Sequence, residues 1–157
     1  MSLSPSAQKV QRTLEDLGYD YTVIEFEAST RTAAEAARRV GCEVGQIVKS
    51  LIFRTRESRR PILVLTSGAN RVDEKRIGEY VGEPIIRAEP DFVREVTGFA
   101  IGGVPPIGHA RPMETFLDED LLQYEVIWAA AGTPRAIFQL TPAALQAMSG
   151  GKVVRVK

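Results

Sequence analysis

Apolar positions recur in two registers along this chain. Ala7, Val10, Leu14 and Leu17 follow helical spacing behind Ser4 and Pro5, a cap and a first-turn proline, and Gly18 ends the stripe. Residues 21–26 alternate as a strand. Thr32-Ala33-Ala34-Glu35 then has the spacing of a capping box, ahead of a short helix that ends near Gly41. Residues 47–55 and 62–66 read as two strands joined by a polar, charged connection, hence a hairpin. Asp73 opens a helix through Ile77 and Tyr80, residues 84–86 form a short strand, and a helical segment covers 92–96. Strands are predicted at 115–117, 126–130 and 136–140, with Gly132-Thr133-Pro134 as the turn between the last two. Thr141-Pro142 starts a helix to Met148, and Gly150-Gly151 releases a final strand at 153–156. Short strands with tight turns and clustered helices predict an α+β fold, one domain over 1–157, with a mixed, largely antiparallel sheet and flanking helices.

A chain of 157 residues that is 44% hydrophobic can bury one core of its own. Twenty basic and twenty acidic side chains cancel, so no long-range field draws the molecule onto duplex nucleic acid or anionic lipid, and any nucleic-acid contact is local. Cys42 is the single cysteine and His109 the single histidine, which excludes an internal disulfide and the usual zinc ligand set. A reducing cytoplasm is the expected compartment. No run of about 18 apolar residues is present to cross a bilayer, and Ser2, Ser4 and Ser6 replace the basic-then-apolar start of an export signal.

Two features carry candidate chemistry. Period-two geometry puts Lys49 on one face of its strand with Ile47, Leu51 and Phe53, and Val48, Ser50 and Ile52 on the other. An ammonium on that apolar face must snorkel out, pair with a carboxylate, or point into a wet cavity. The second feature is Gly102-Gly103-Val104-Pro105-Pro106-Ile107-Gly108-His109, a stretch whose glycines bare the backbone and whose prolines stop it folding into helix or ladder. It is either a tight turn or a main-chain cradle whose N–H groups hold a developing oxyanion. Glycine-serine elbow, phosphate-loop, His-Glu-x-x-His and dinucleotide motifs are missing. His109 is either a loop residue without a chemical role or an acid, base or substrate contact. Arg54, Arg56, Arg59 and Arg60, diluted by Glu43 and Glu57, form either a solvated hairpin tip or a patch for a few phosphates. Trp128 reads as core, and Cys42, with no basic activator nearby in sequence, as structural.

Taken together, Lys49 and the Gly102 to Pro106 loop resemble the YbaK family, also called the prolyl-tRNA synthetase associated domain family. The resemblance spans nearly the whole chain: Thr30, Ala33 to Ala37, Val48-Lys49-Ser50-Leu51, Leu63 to Gly68, Thr97-Gly98-Phe99, the glycine loop, and Ala130-Ala131-Gly132. It implies a small barrel-like mixed sheet with flanking helices and hydrolysis of the ester of wrongly charged tRNA. Lys49, Gly102, Gly103 and Pro106 then fall at the catalytic positions, and Thr30, Ser50, Ser67, His109 and Gly132 at substrate-binding ones. No metal or cofactor is implied. The implied partner is the single-stranded acceptor end of tRNA carrying a wrong amino acid, with an aminoacyl-tRNA synthetase as a second candidate partner and no membrane. The chain departs from the family at Ile137, where some members carry aspartate, and at Ser50, which varies after the lysine; both bear on which amino acid fits. A free-standing trans-editing enzyme is the expectation. The alternatives are a non-catalytic module that sequesters aminoacyl-tRNA or docks on a synthetase, and a small-molecule or DNA-binding regulator, with the lack of a basic recognition helix and the zero net charge weighing against DNA.

Overall fold

The hairpin predicted at the centre of the sequence is also the centre of the molecule. In a computed structural model that describes residues 3–28 and 32–157, strands β2 (Ile47–Thr55) and β3 (Pro61–Ser67) pair antiparallel from Val48 opposite Ser67 to Arg54 opposite Pro61. The remaining strands are β1 (Ile24–Glu25), β4 (Ile85–Arg87), β5 (Glu114–Asp118), β6 (Ile127–Ala130), β7 (Ala136–Leu140) and β8 (Lys152–Val154). They form one mixed sheet in the order β1-β7-β6-β2-β3-β5-β8, with β4 also on β2. The β1/β7, β6/β7, β2/β3 and β2/β4 pairs are antiparallel, and β2/β6, β3/β5 and β5/β8 are parallel.

Of the five helices among the described residues, four start where capping chemistry predicts, and the fourth in the chain starts at Pro90, two residues before the predicted segment. The five are α1 (Pro5–Asp16), α2 (Ala33–Val40), α3 (Glu74–Val81), α4 (Pro90–Thr97) and α5 (Pro142–Ser149). Thr32, Asp73 and Thr141 each accept a hydrogen bond from the backbone N–H three residues on, satisfying an orphan donor of α2, α3 and α5. Ser4 sits at the N-cap of α1 but spends its hydroxyl on Glu25 Oε2, 2.8 Å away.

Four predicted strands are shorter or shifted: β4, at 85–87 for 84–86, and β6, at 127–130 for 126–130, by a single residue, and the first and last strands for identifiable reasons. Of residues 21–26 only Ile24 and Glu25 pair with a strand, because the Gln11 side chain from α1 satisfies the Tyr21 carbonyl at 2.9 Å and the Val23 N–H at 2.8 Å. The last strand is Lys152–Val154 rather than 153–156, since the Val156 carbonyl accepts the Asp73 N–H at the start of α3.

Alternation on β2 divides its side chains among three apolar clusters. Val48 and Ile52 enter the main core with Leu63, Leu65, Val96 and Phe138. Phe53 joins Ile62, Val64 and Phe116, and Ile47 packs under α2 with Ala36, Ala37 and half-buried Trp128. Lys49 therefore stands at the break between these two smaller clusters.

Candidate active site

The site arises from a gap in strand pairing. β3 occupies one edge of β2; on the other, β6 pairs only with Ile47 and Val48, and β4 only with Phe53, Arg54 and Thr55. The Ile47 carbonyl accepts a bond on the β3 side from Gly68, and the Ile52 carbonyl accepts one from Ala88 beside β4. By the alternation of a strand, the main-chain N–H and carbonyl of Ser50 face the gap. The Ser50 hydroxyl oxygen is buried with no hydrogen-bond partner, an expense a protein bears where a ligand completes the contact.

A cavity of about 550 Å³ opens at this edge. Lys49, Ser50 and Gly102 all line it, so residues fifty apart in sequence meet there. Its walls are small and apolar: Ala33, Ala34 and Ala36 of α2 on one side, Ala129, Ala130 and Ile137 on the other. Exposed Ile101 stands at the lip beside Gly102.

Among the described residues the Lys49 ammonium donates one hydrogen bond, to the Asn70 carbonyl at 2.9 Å, and forms no ion pair. Burial pulls its pKa below the usual lysine value and the Arg87 guanidinium adds to this, while Asp118 opposes them. Arg87 lines the same cavity, exposed, over the Phe53 ring and without a carboxylate partner among the described residues. Its place at the end of a short strand, with Glu83, Glu89 and Asp91 close by in the sequence, hid it from sequence reasoning.

The glycine loop splits into a working part and a supporting part. Gly103 N–H closes a turn onto the Ala100 carbonyl at 3.1 Å, and the Gly103 carbonyl accepts Gly132 N–H at 2.9 Å. Gly102, at φ 94° on the corner of that turn, keeps an N–H with no protein acceptor among the described residues. A side chain on Gly103 would lie 2.7 Å from Thr133 Cα, and one on Gly132 would lie 2.6 Å from the Ser6 carbonyl oxygen. Gly103 thus lets the loop pack against the β6–β7 turn, and Gly132 lets that turn pack against α1. Their N–H groups, and so the expected second oxyanion donor at Gly103, are already committed.

Other expected site residues do not line the cavity. Pro106 is buried in the loop. Ser67 is buried, donating to the Gly45 carbonyl at 2.7 Å. His109 Nε2 lies 2.7 Å from the Pro105 carbonyl, which it can bond only as a donor, and burial pushes its pKa below the usual histidine value. It fastens the loop from behind. Thr30 falls outside the described residues. Trp128, expected in the core, is half-buried and lines the cavity.

The basic hairpin tip is mostly spoken for. Arg54 is buried and holds Glu89 through two nitrogens, Arg60 pairs with Glu83 and Glu114, and Arg59 lies over the Phe92 ring. Cys42 donates to the Glu43 carbonyl, and burial with the neighbouring Glu43 pushes its thiol pKa up, away from nucleophilic character. Among the described residues no three His, Cys, Asp or Glu side chains gather as a metal site would require, and no helix is long and apolar enough to cross a membrane.

Comparison with known proteins gives this geometry a setting. A Bacillus subtilis protein named "Uncharacterized protein YwhH" is 36% identical over 131 residues, 83% of each chain. The Enterococcus faecalis "Putative Cys-tRNA(Pro)/Cys-tRNA(Cys) deacylase EbsC" is 25% identical over 139 residues, 88% of this chain and 82% of that one. A solved structure described as "a putative trans-editing enzyme for prolyl tRNA synthetase" superposes with a TM-score of 0.94 at 54% identity, covering 99% of both chains. The sequence model of the aminoacyl-tRNA editing domain matches residues 27–148, from just after β1 through the glycine loop into the last turn of α5, and the chain belongs to that family.

Proposed function

We propose that this protein is an aminoacyl-tRNA deacylase acting in trans, which cleaves the ester of a wrongly charged tRNA in the cleft at the open edge of β2. The observation that carries this is the convergence on one cavity of Lys49, of Gly102, whose N–H has no acceptor among the described residues, and of Ser50, whose hydroxyl is buried without a partner. Lys49 has donors to spare beyond its bond to Asn70, and it anchors the acceptor end beside the ester. Gly102 N–H faces the carbonyl oxygen as negative charge develops there. A water oxygen bonds to the carbonyl carbon, the bond to the ribose oxygen breaks, and that oxygen leaves with a proton as the terminal hydroxyl.

No covalent nucleophile is needed. One well-placed oxyanion donor is worth roughly a hundred- to a thousandfold in rate, and an aminoacyl ester is already activated, so positioning and one or two donors suffice. The alanine-lined walls suit a small side chain, and with no carboxylate among the lining residues they have nothing to hold a basic one. A neutral protein fits recognition of a single-stranded end, whose bases splay and are gripped one at a time, with Arg87 as the exposed cation for a nearby phosphate. By analogy with the relatives, tRNA(Pro) carrying a small amino acid other than proline is the proposed substrate, and prolyl-tRNA synthetase the proposed partner.

A deacylation panel tests this, with tRNA(Pro) charged with Ala, Ser, Cys, Thr or Pro. Turnover of at least one small mischarged species, sparing of Pro, and its loss in Lys49→Ala are the expected results. No turnover of any species, with tight binding retained, would instead make the protein a binding module.

A further inference from the structure

A buried carboxylate on the far side of Lys49 is left unexplained by the cleft itself. Asp118, at the end of β5, is 1% exposed and forms no ion pair among the described residues. Across the sheet Lys49 is opposite Thr66, and Leu65 opposite Leu117, so Lys49, Thr66 and Asp118 form a row on one face of three adjacent strands. Asp118 Oδ1 caps the turn after β5 by accepting Asp120 N–H at 2.9 Å. That duty needs one oxygen. The other, Oδ2, accepts from Thr66 Oγ1 at 3.1 Å, Ser67 N–H at 3.0 Å and Asn70 Nδ2 at 2.8 Å. Asn70 Nδ2 also reaches Asp120 Oδ2 at 2.8 Å, so its amide is clamped between two carboxylates. The main-chain carbonyl of this same Asn70 takes the Lys49 ammonium.

We infer that Asp118, acting through Asn70, is the positioning residue that aims the Lys49 ammonium into the cleft and keeps it charged there. The inference rests on the cleft being the ester-hydrolysing site, but the coupling it describes exists with or without substrate. A partly buried ammonium facing Arg87 from β4 needs a compensating negative charge, and Asp118 supplies it from β5 across Thr66. Asp120 lies further out, where Lys157 neutralises it at 2.9 Å.

The test uses the whole chain with isotopically labelled lysine, comparing the parent with Asp118→Asn, Asn70→Ala and, as a structural control, Thr66→Val. Thr66→Val removes one bond to Asp118 but neither its charge nor the Asn70 clamp. NMR titration of the Lys49 side chain should show its pKa falling by about one unit in Asp118→Asn and staying near the parent value in Thr66→Val. Losing a hydrogen bond to a charged group corresponds to about ten- to a hundredfold. A fall of that size in kcat/KM, carried mainly by kcat and with its alkaline limb moved to lower pH, is expected for Asp118→Asn. Asn70→Ala should show a comparable fall, with a smaller change in the Lys49 titration because the Asp118 charge remains. An unchanged Lys49 titration in Asp118→Asn, or kcat/KM in Asn70→Ala within about twofold of the parent, overturns the inference. Should Asp118→Asn not fold, Asn70→Ala against Thr66→Val decides alone. Altered Lys49 titration in a protein that hydrolyses no aminoacyl-tRNA would keep the coupling and discard the proposed activity.

Discussion

β2 carries two cations into apolar surroundings and resolves them in opposite ways. Arg54 is met by Glu89 at 2.7 and 3.0 Å, and its remaining nitrogen donates to the Thr55 and Arg56 carbonyls. Lys49 has a single main-chain acceptor, an Arg87 guanidinium bearing on it, and a cavity in front of it. A planar, five-donor guanidinium fully matched to a carboxylate is a structural tie. An ammonium with no carboxylate in direct contact, its compensating charge held a residue away behind Asn70, is at an open strand edge a binding group awaiting its partner. Charge in an apolar strand thus marks function only where the fold leaves it incompletely answered.

The sharpest way to break this contrast is to remove each cation in turn. Lys49→Ala should lower kcat/KM by about a hundredfold or more with little change in Tm. Arg54→Ala should lower Tm and leave kcat near the parent value. Equal catalytic losses in both, measured by deacylation and thermal unfolding, would erase the distinction. Glycine substitutions come next. Gly103→Ala puts a methyl within 2.8 Å of both the N and the Cα of Thr133, backbone atoms that cannot yield, and should cost about 2 kcal/mol or more in denaturant unfolding. Gly102→Ala meets nothing closer than Pro134 at 3.7 Å, so only its φ of 94° is penalised, at about 1 kcal/mol.

Smaller still is Ser50→Ala. Removing a buried hydroxyl that has no partner should stabilise the free protein by up to about 1 kcal/mol while lowering kcat/KM. Stability and activity falling together would mean the hydroxyl is structural. The smallest effect lies at the Arg54 end, where the guanidinium holds the Glu89 carboxyl down at about 2 from an ordinary 4.5. A depressed carboxyl pKa stabilises fully above the unfolded value and stops doing so as pH falls through the folded one. The Tm gap between the parent and Glu89→Gln should therefore be widest near neutrality and close between pH 4.5 and about 2.

Local signals carried much of the fold. Thr32, Asp73 and Thr141 announce helix starts because a cap is a contact over three residues, and β2 and β3 announce themselves by alternation. β1 is shorter than its alternation predicts because a glutamine on α1 takes the place of a neighbouring strand, a replacement no local pattern contains. At the site, Lys49 and the glycine loop were legible as odd residues in their settings, and family resemblance joined them. The division within the loop was not, since the acceptors of the Gly103 and Gly132 N–H groups lie in turns thirty residues apart or are set by the fold of the turn itself. The arginine tip misled for the same reason: Glu89, Glu83 and Glu114 come from distant segments. Asp118 reads in sequence as one acid in an acidic turn, and only the register of β3 on β5 sets it in line with Lys49.

The central claim is that Lys49 and the Gly102 N–H grip the same aminoacyl ester. Backbone-amide and lysine side-chain NMR during titration with a non-hydrolysable aminoacyl-adenosine analogue tests it directly. The account predicts that the Gly102 amide, the Ser50 amide and the Lys49 ammonium shift together along one binding curve while the Arg54 signals stay still. Saturable binding that moves the hairpin tip and leaves Gly102 and Lys49 unperturbed would contradict it.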